Sequence, residues 1–163
     1  MSIWFGLHLP SYSHPDTAPE HLFDRVVEQA KAAEAAGFDL VSVMDHLYQI
    51  GNIGGPDETM LEGWLKLAAL ARETSRVRLG TLVTGVTYRN PALLAKQVTT
   101  LDTISSGRAI LGLVAAWNDV EPDSDWWVID ADQPMKYYQA MIVKLASGSG
   151  SESIMEVPLA DDR

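Results

Sequence analysis

The run Arg76-Val77-Arg78-Leu79-Gly80-Thr81-Leu82-Val83-Thr84-Gly85-Val86-Thr87-Tyr88-Arg89-Asn90-Pro91 changes character twice. Val77 to Val83 reads as a strand, the third along the chain, with Arg78 near its solvent-facing start. Pro91 then opens a helix where a missing N–H costs little. That helix is expected to reach about Ile104 and to stop before Ser105-Ser106-Gly107. Between them, Gly85-Val86 reads on its own as a turn before the helix, and a glycine followed by a β-branched residue at a strand end gives irregular backbone of the bulge type as the other reading.

Working outward, the same unit repeats. Ile3 to Leu9 reads as a strand closed by Pro10. Pro19 to Ala36 carries Leu22, Val26, Val27, Ala30 and Ala33 at helical spacing, with Thr17 and Glu20 as a capping pair and Gly37 as the stop. Leu40 to Met44 reads as a second strand, and Thr59 opens a second helix with Leu61, Trp64, Leu65, Ala68 and Ala71 on its apolar side. Ala109 to Ala115 is the fourth strand. Strands alternating with helices across short loops imply parallel strands and right-handed crossovers. An open doubly wound sheet and a closed β/α barrel both fit. A full barrel needs about 250 residues, so four units make half of one. The expected fold is therefore α/β, half of a (β/α)8 TIM-type barrel. Its open edges need covering, by a second copy or by the tail.

The 163 residues hold 12 basic and 22 acidic side chains and no cysteine. That balance disfavours nucleic acid and anionic membranes as partners, and the absence of cysteine excludes disulfides, thiolate metal sites and a thiol nucleophile. The four histidines lack metal-ligand spacing, so no metal is expected. No apolar run suits a membrane helix and no secretory signal opens the chain, which leads to the expectation of a cytoplasmic protein. Most of the negative charge lies late: residues 1–118 hold 9 basic and 12 acidic groups, and residues 119–163 hold 3 and 10. The expected division is a half-barrel over 1–118 and an acidic tail over 119–163. Within that tail we expect a helix at 133–146, a Ser-Gly linker at 147–151 and a short strand at 154–159.

Parallel α/β folds build sites at the carboxyl ends of their strands. Met44-Asp45-His46 follows the second strand, and a histidine there can move a proton or hydrogen-bond a substrate. Gly85-Val86-Thr87 follows the third, and Ala115-Ala116-Trp117-Asn118 follows the fourth with small residues and an amide. His8 lies within the first strand, where it either faces the concave side or is a core histidine bonded to a neighbour. Gly51 to Gly55 lacks the lysine and Ser/Thr of a phosphate loop.

Together these segments resemble the bacterial luciferase-like oxidoreductases, especially the branch that uses coenzyme F-420. The carrying residues are Phe5-Gly6-Leu7-His8-Leu9-Pro10, Ala32-Ala33-Glu34-Ala35-Ala36-Gly37-Phe38-Asp39, Met44-Asp45-His46, the run Arg76 to Pro91, Leu101-Asp102 to Ser105-Ser106-Gly107-Arg108, and Ala115-Ala116-Trp117-Asn118. They cover about residues 3–121. The resemblance implies hydride transfer between a deazaflavin or flavin ring and a small organic substrate, or monooxygenation with reduced FMN. It implies coenzyme F-420 as cofactor, with FMN as the alternative. It assigns catalytic roles to His46 and Asp45, and cofactor contacts to Asp45, Gly85, Val86, Thr87, Asn118 and His8. It also places a non-prolyl cis peptide under the ring at Gly85-Val86. The chain departs from the pattern at Val114, where a glycine is usual, at Ala115, where some members carry an acid, and at Pro122, where a histidine is common. Those departures and the tail leave an alternative: a non-catalytic scaffold, truncated or engineered, that self-associates as a homodimer and binds no coenzyme.

Overall fold

The computed structural model describes residues 3–10, 14, 16–51, 53–55, 57–86 and 88–114. Four strands, β1 (Gly6–Leu9), β2 (Leu40–Val43), β3 (Arg78–Thr81) and β5 (Ala109–Ile110), form one parallel sheet in the order β1-β2-β3-β5. Two shorter strands, β4 (Thr84–Gly85) and β6 (Leu113–Val114), pair with each other as a second parallel ladder. Helices α1 (Leu22–Ala35), α2 (Gly63–Glu73) and α3 (Pro91–Ser105) make the crossovers.

Side chains alternate across a strand, so the register sorts the sheet into two faces. On one face Leu9, Val41, Val43, Leu79 and Ala109 join Val26 and Ala30 of α1, Leu67 and Leu70 of α2, and Leu94 and Leu101 of α3 in a single apolar core. α1 packs on α2, and α2 on α3, so all three helices cover the same face. A doubly wound sheet would distribute them over both. The arrangement is therefore a segment of barrel wall. The opposite face carries His8, Ser42, Gly80 and Ile110 in one layer, and Gly6, Leu40 and Arg78 in the next. Gly80 is needed there, because a Cβ would lie 2.5 Å from the Ile110 carbonyl oxygen.

Several boundaries differ from the sequence expectation, each for a local reason. β1 begins at Gly6, not Ile3: the Asp39 N–H donates to the Phe5 carbonyl at 2.8 Å just ahead of the ladder, and Ile3, Trp4 and Phe5 stay exposed outside β1. Pro19–His21 is a 3-10 turn and α1 starts at Leu22 with no side-chain cap, so Thr17 and Glu20 do not form the expected pair. α2 starts at Gly63, not Thr59, because the Glu62 carboxylate accepts the Leu65 N–H at 2.7 Å. α3 is capped by Asn90, which accepts the Ala92 N–H at 2.8 Å, and Pro91 follows as expected. The third strand stops at Thr81, and Thr84-Gly85 pairs separately with the far half of the fourth. The fourth breaks at Leu111-Gly112, where a Cβ on Gly112 would lie 2.8 Å from Val83 Cγ1. Gly37 ends the first helical unit at φ +91°, in the left-handed region that favours glycine.

The amino end of the sheet is tied by a carboxylate. Glu34 accepts N–H groups of Ser75 (3.0 Å), Arg76 (2.7 Å) and Val77 (2.9 Å), and the Ser75 hydroxyl (3.1 Å). Burial alone would raise this carboxyl, but the three backbone donors outweigh it and hold it at about 2. A depressed carboxyl contributes stability above its ordinary value of about 4.5 and loses it as pH falls toward about 2. We expect Glu34→Gln to destabilise the protein by about 2 kcal/mol at neutral pH, allowing for solvent screening. The difference should vanish near pH 2, as urea denaturation at both pH values will show. On the same side, the Arg108 guanidinium donates to carbonyls of Ala71 (2.8 Å), Thr74 (3.1 Å) and Val77 (2.8 Å), closing the end of α2. Among the described residues, no helix is long and apolar enough to cross a membrane.

The tail features expected at 133–146, 147–151 and 154–159 lie outside the described residues.

Candidate active site at the carboxyl end of the sheet

β2 delivers Met44, Asp45 and His46 to the carboxyl end of the sheet, opposite the Glu34 and Arg108 ties. Asp45 is buried, and its carboxylate is gripped by Arg89: Nη1 donates to Oδ2 at 2.5 Å and Nη2 to Oδ1 at 2.8 Å. The Gly85 N–H adds a longer bond to Oδ2 at 3.3 Å. Arg89 Nη2 also donates to Glu62 Oε1 at 3.0 Å, and Glu62 in turn caps α2. One buried guanidinium thus joins the end of β2, the β4 ladder and the start of α2. Bidentate carboxylate pairing of this kind fixes geometry as well as charge. Burial pushes the Asp45 carboxyl above its ordinary value. Arg89 opposes that rise, and the neighbouring Glu62 charge adds to it.

Thr81 and Thr84 hydroxyls hydrogen-bond across the gap that follows β3. Within that gap the Leu82–Val83 peptide is cis. This corrects the expectation of a cis bond at Gly85-Val86. The sequence reading ran the third strand on to Val83, whereas β3 ends at Thr81, so the irregular backbone comes three residues sooner. Val86 is fully buried in the hydrophobic core. Leu82, 56% exposed, is the apolar side chain open to solvent here. Gly85 is constrained by Tyr88, since a Cβ would lie 2.5 Å from the Tyr88 ring.

His8 and Ser42 face each other across β1 and β2, with His8 Nδ1 and Ser42 Oγ 3.0 Å apart. Burial, and then the charge of Lys66, hold the His8 imidazole below its ordinary value. Lys66 lies on α2 and is itself pulled down to about 7 by burial. His46 is half-buried at the start of the loop leaving β2, and Leu47 and Tyr48 beside it are exposed. The structure thus brings Asp45 and Gly85 into contact, sets His46 beside Asp45 in the chain, and puts His8 on the inner face with Ser42. Thr87 and Asn118 lie outside the described residues.

The sequence reading gave no role to Arg89 or Glu62. Their signal is faint: a single arginine just before a helix cap, and one acid just before a helix, 44 and 17 residues from Asp45. Only the fold makes them neighbours.

Comparison with known proteins places this arrangement. The chain matches the Luciferase-like monooxygenase family over residues 3–139, past residue 121 where the individual motifs end. It is 37% identical over 105 residues to F-420-dependent glucose-6-phosphate dehydrogenase of Amycolatopsis mediterranei (strain U-32), covering 63% of this chain and 31% of that protein. It is 40% identical over 91 residues to F-420-dependent hydroxymycolic acid dehydrogenase of Mycobacterium tuberculosis (strain ATCC 25618 / H37Rv), covering 55% of this chain and 24% of that one. Among solved structures, coenzyme F-420 dependent tetrahydromethanopterin reductase of Methanopyrus kandleri superposes with a TM-score of 0.52 at 29% identity, over 69% of this chain and 27% of that one. The matched stretch spans about a third or less of the length of these curated relatives. Its structural neighbours are TIM-barrel enzymes, and its sheet is the matching part of such a barrel. By a family match over most of its length, the chain is a member of the luciferase-like monooxygenase family.

Proposed function

We propose that the carboxyl end of this sheet holds the ring of coenzyme F-420, and that His46 serves the substrate on its open side. The observation that carries the reading is the sheet's polarity. One end is consumed by Glu34 and Arg108 in structural hydrogen bonds, while the other gathers His46 and the Asp45–Arg89–Glu62 network. The residues present suit a flat ring with one apolar and one polar side. Leu47, Tyr48 and Leu82 offer apolar surface, and the inner-face layer keeps small groups at Ser42 and Gly80. The ring, when bound, supplies the centre that gives or takes a hydride.

The chain's own contributions are positional. Arg89 and Asp45 satisfy each other, so Asp45 acts by fixing the Gly85 backbone and the exit of β2, not by a free carboxylate. His46 leaves β2 next to that fixed point and holds or moves a proton on the substrate oxygen. His8 keeps its ring orientation through Ser42. F-420 is preferred to FMN because the relatives of 37–40% identity named above use it. A second copy of the chain covering the β1 edge belongs to the same proposal.

Titration of the purified chain with F-420 and with FMN, followed by ring fluorescence, tests this. Saturable binding with preference for F-420 is expected. Mass from light scattering then reports the homodimer. Positive binding would be followed by a substrate panel that includes glucose 6-phosphate, the substrate named for one of the relatives above. A folded chain that binds neither ring is a scaffold.

A further inference from the structure

The loop from β2 to α2 turns one amide inward. Leu47 and Tyr48 are exposed, at 44% and 43%, yet Gln49 beside them is only 4% exposed. Both amide atoms of Gln49 are buried, and neither has a hydrogen-bond partner among the described residues. Trp64 Nε1, on the first turn of the helix that this loop enters, is likewise buried without one. Buried polar atoms are almost always paired, and leaving them unpaired costs the full desolvation of each group.

Resting on the ring-binding reading above, we infer that Gln49 is a ligand-reading residue, and that it takes a planar, neutral group presenting C=O and N–H side by side. A primary amide offers one acceptor and two donors in one plane, which matches a lactam, imide or carboxamide edge. A carboxylate would meet the Gln49 carbonyl oxygen with like polarity, and an ammonium would leave the amide donors unpaired. Position supports the assignment: Gln49 follows His46 by three residues on the connection that crosses the carboxyl end of β2. Such an edge is present on the pyrimidine part of F-420 and FMN. A substrate with an amide or imide group would present the same chemistry.

The test compares the full chain with its Gln49→Met variant, which removes the amide and keeps the volume. Thermal unfolding of the free protein, affinity for F-420 and FMN, and affinity for uracil as a bare imide probe are read for both. The expected result is a free variant at least as stable as the original, because an unpaired buried amide is gone. Ring affinity falls about tenfold or more, equivalent to two lost hydrogen bonds, if the edge belongs to the ring, and F-420 then displaces uracil. If the edge belongs to substrate, ring affinity is unchanged and uracil binding to the F-420-loaded protein is lost in the variant. A variant that binds both probes as before would overturn the inference, and so would a large loss of stability shared by Gln49→Met and Gln49→Leu. Should the unmodified chain bind no ring, the proposed function fails by itself. Gln49-dependent uracil binding by the free protein would then still uphold the inference, and its absence would end it.

Discussion

Arg89→Met is expected to lower the stability of the folded chain by about 3–5 kcal/mol at neutral pH. The guanidinium is almost wholly buried and makes two bonds to Asp45 and one to Glu62. Its removal leaves the Asp45 carboxylate in low dielectric with, among the described residues, the Gly85 N–H as its remaining hydrogen-bond donor. That uncompensated charge, more than the lost attraction, sets the size of the effect. Two further outcomes separate this mechanism from simple loss of packing. Adding Asp45→Asn to Arg89→Met should restore a substantial part of the loss, since the stranded charge disappears. The single variant should also suffer less at about pH 5 than at about pH 8. The sign follows from Asp45, whose carboxyl is already raised by burial despite Arg89 and rises further without it. A carboxyl raised in the folded state weighs against folding increasingly as pH climbs from its ordinary value to the raised one and constantly above that, so the lower pH relieves the variant. Denaturant titrations of the three variants at both pH values check all of this.

His46→Ala is expected to fold as the original does and to bind the ring with little change, yet to turn over about 10²–10⁴-fold more slowly with whichever substrate the panel yields. The split matters because Asp45 and His46 are adjacent and do different work. Asp45 is locked in the Arg89 network, so its loss should show first in unfolding experiments. His46 is half-buried at the loop's start, so its loss should show in the rate. Equal losses of ring affinity and rate in His46→Ala would assign the histidine to cofactor binding instead of proton handling.

The order of strands and helices was legible because its signals are local. Pro91 behind Asn90, Gly37 in the left-handed region, and the mainly apolar run at 40–43 each act within a few residues. The break in the third strand was not legible. Leu79 to Val83 carries no proline or charge to mark a stop, and the break becomes visible only in the fold, where Gly112 closes on Val83 and Thr81 and pairing resumes at Thr84. That shift explains why the cis peptide was expected at Gly85-Val86 and lies at Leu82–Val83. Strand ends placed Asp45 and His46 correctly in the fold, but the partner of Asp45 is 44 residues away and leaves no periodic trace. Gln49 was passed over because its unpaired amide becomes visible only with burial.

The account turns on one claim, that a ring binds at the carboxyl end of the sheet. Amide hydrogen exchange of the whole chain, with and without saturating F-420, tests it most directly. Protection is predicted in residues 45–50 and 82–90, with little change in residues 34–39 and 75–78 at the opposite end. Protection confined to that opposite end, or none under saturating coenzyme, would contradict it.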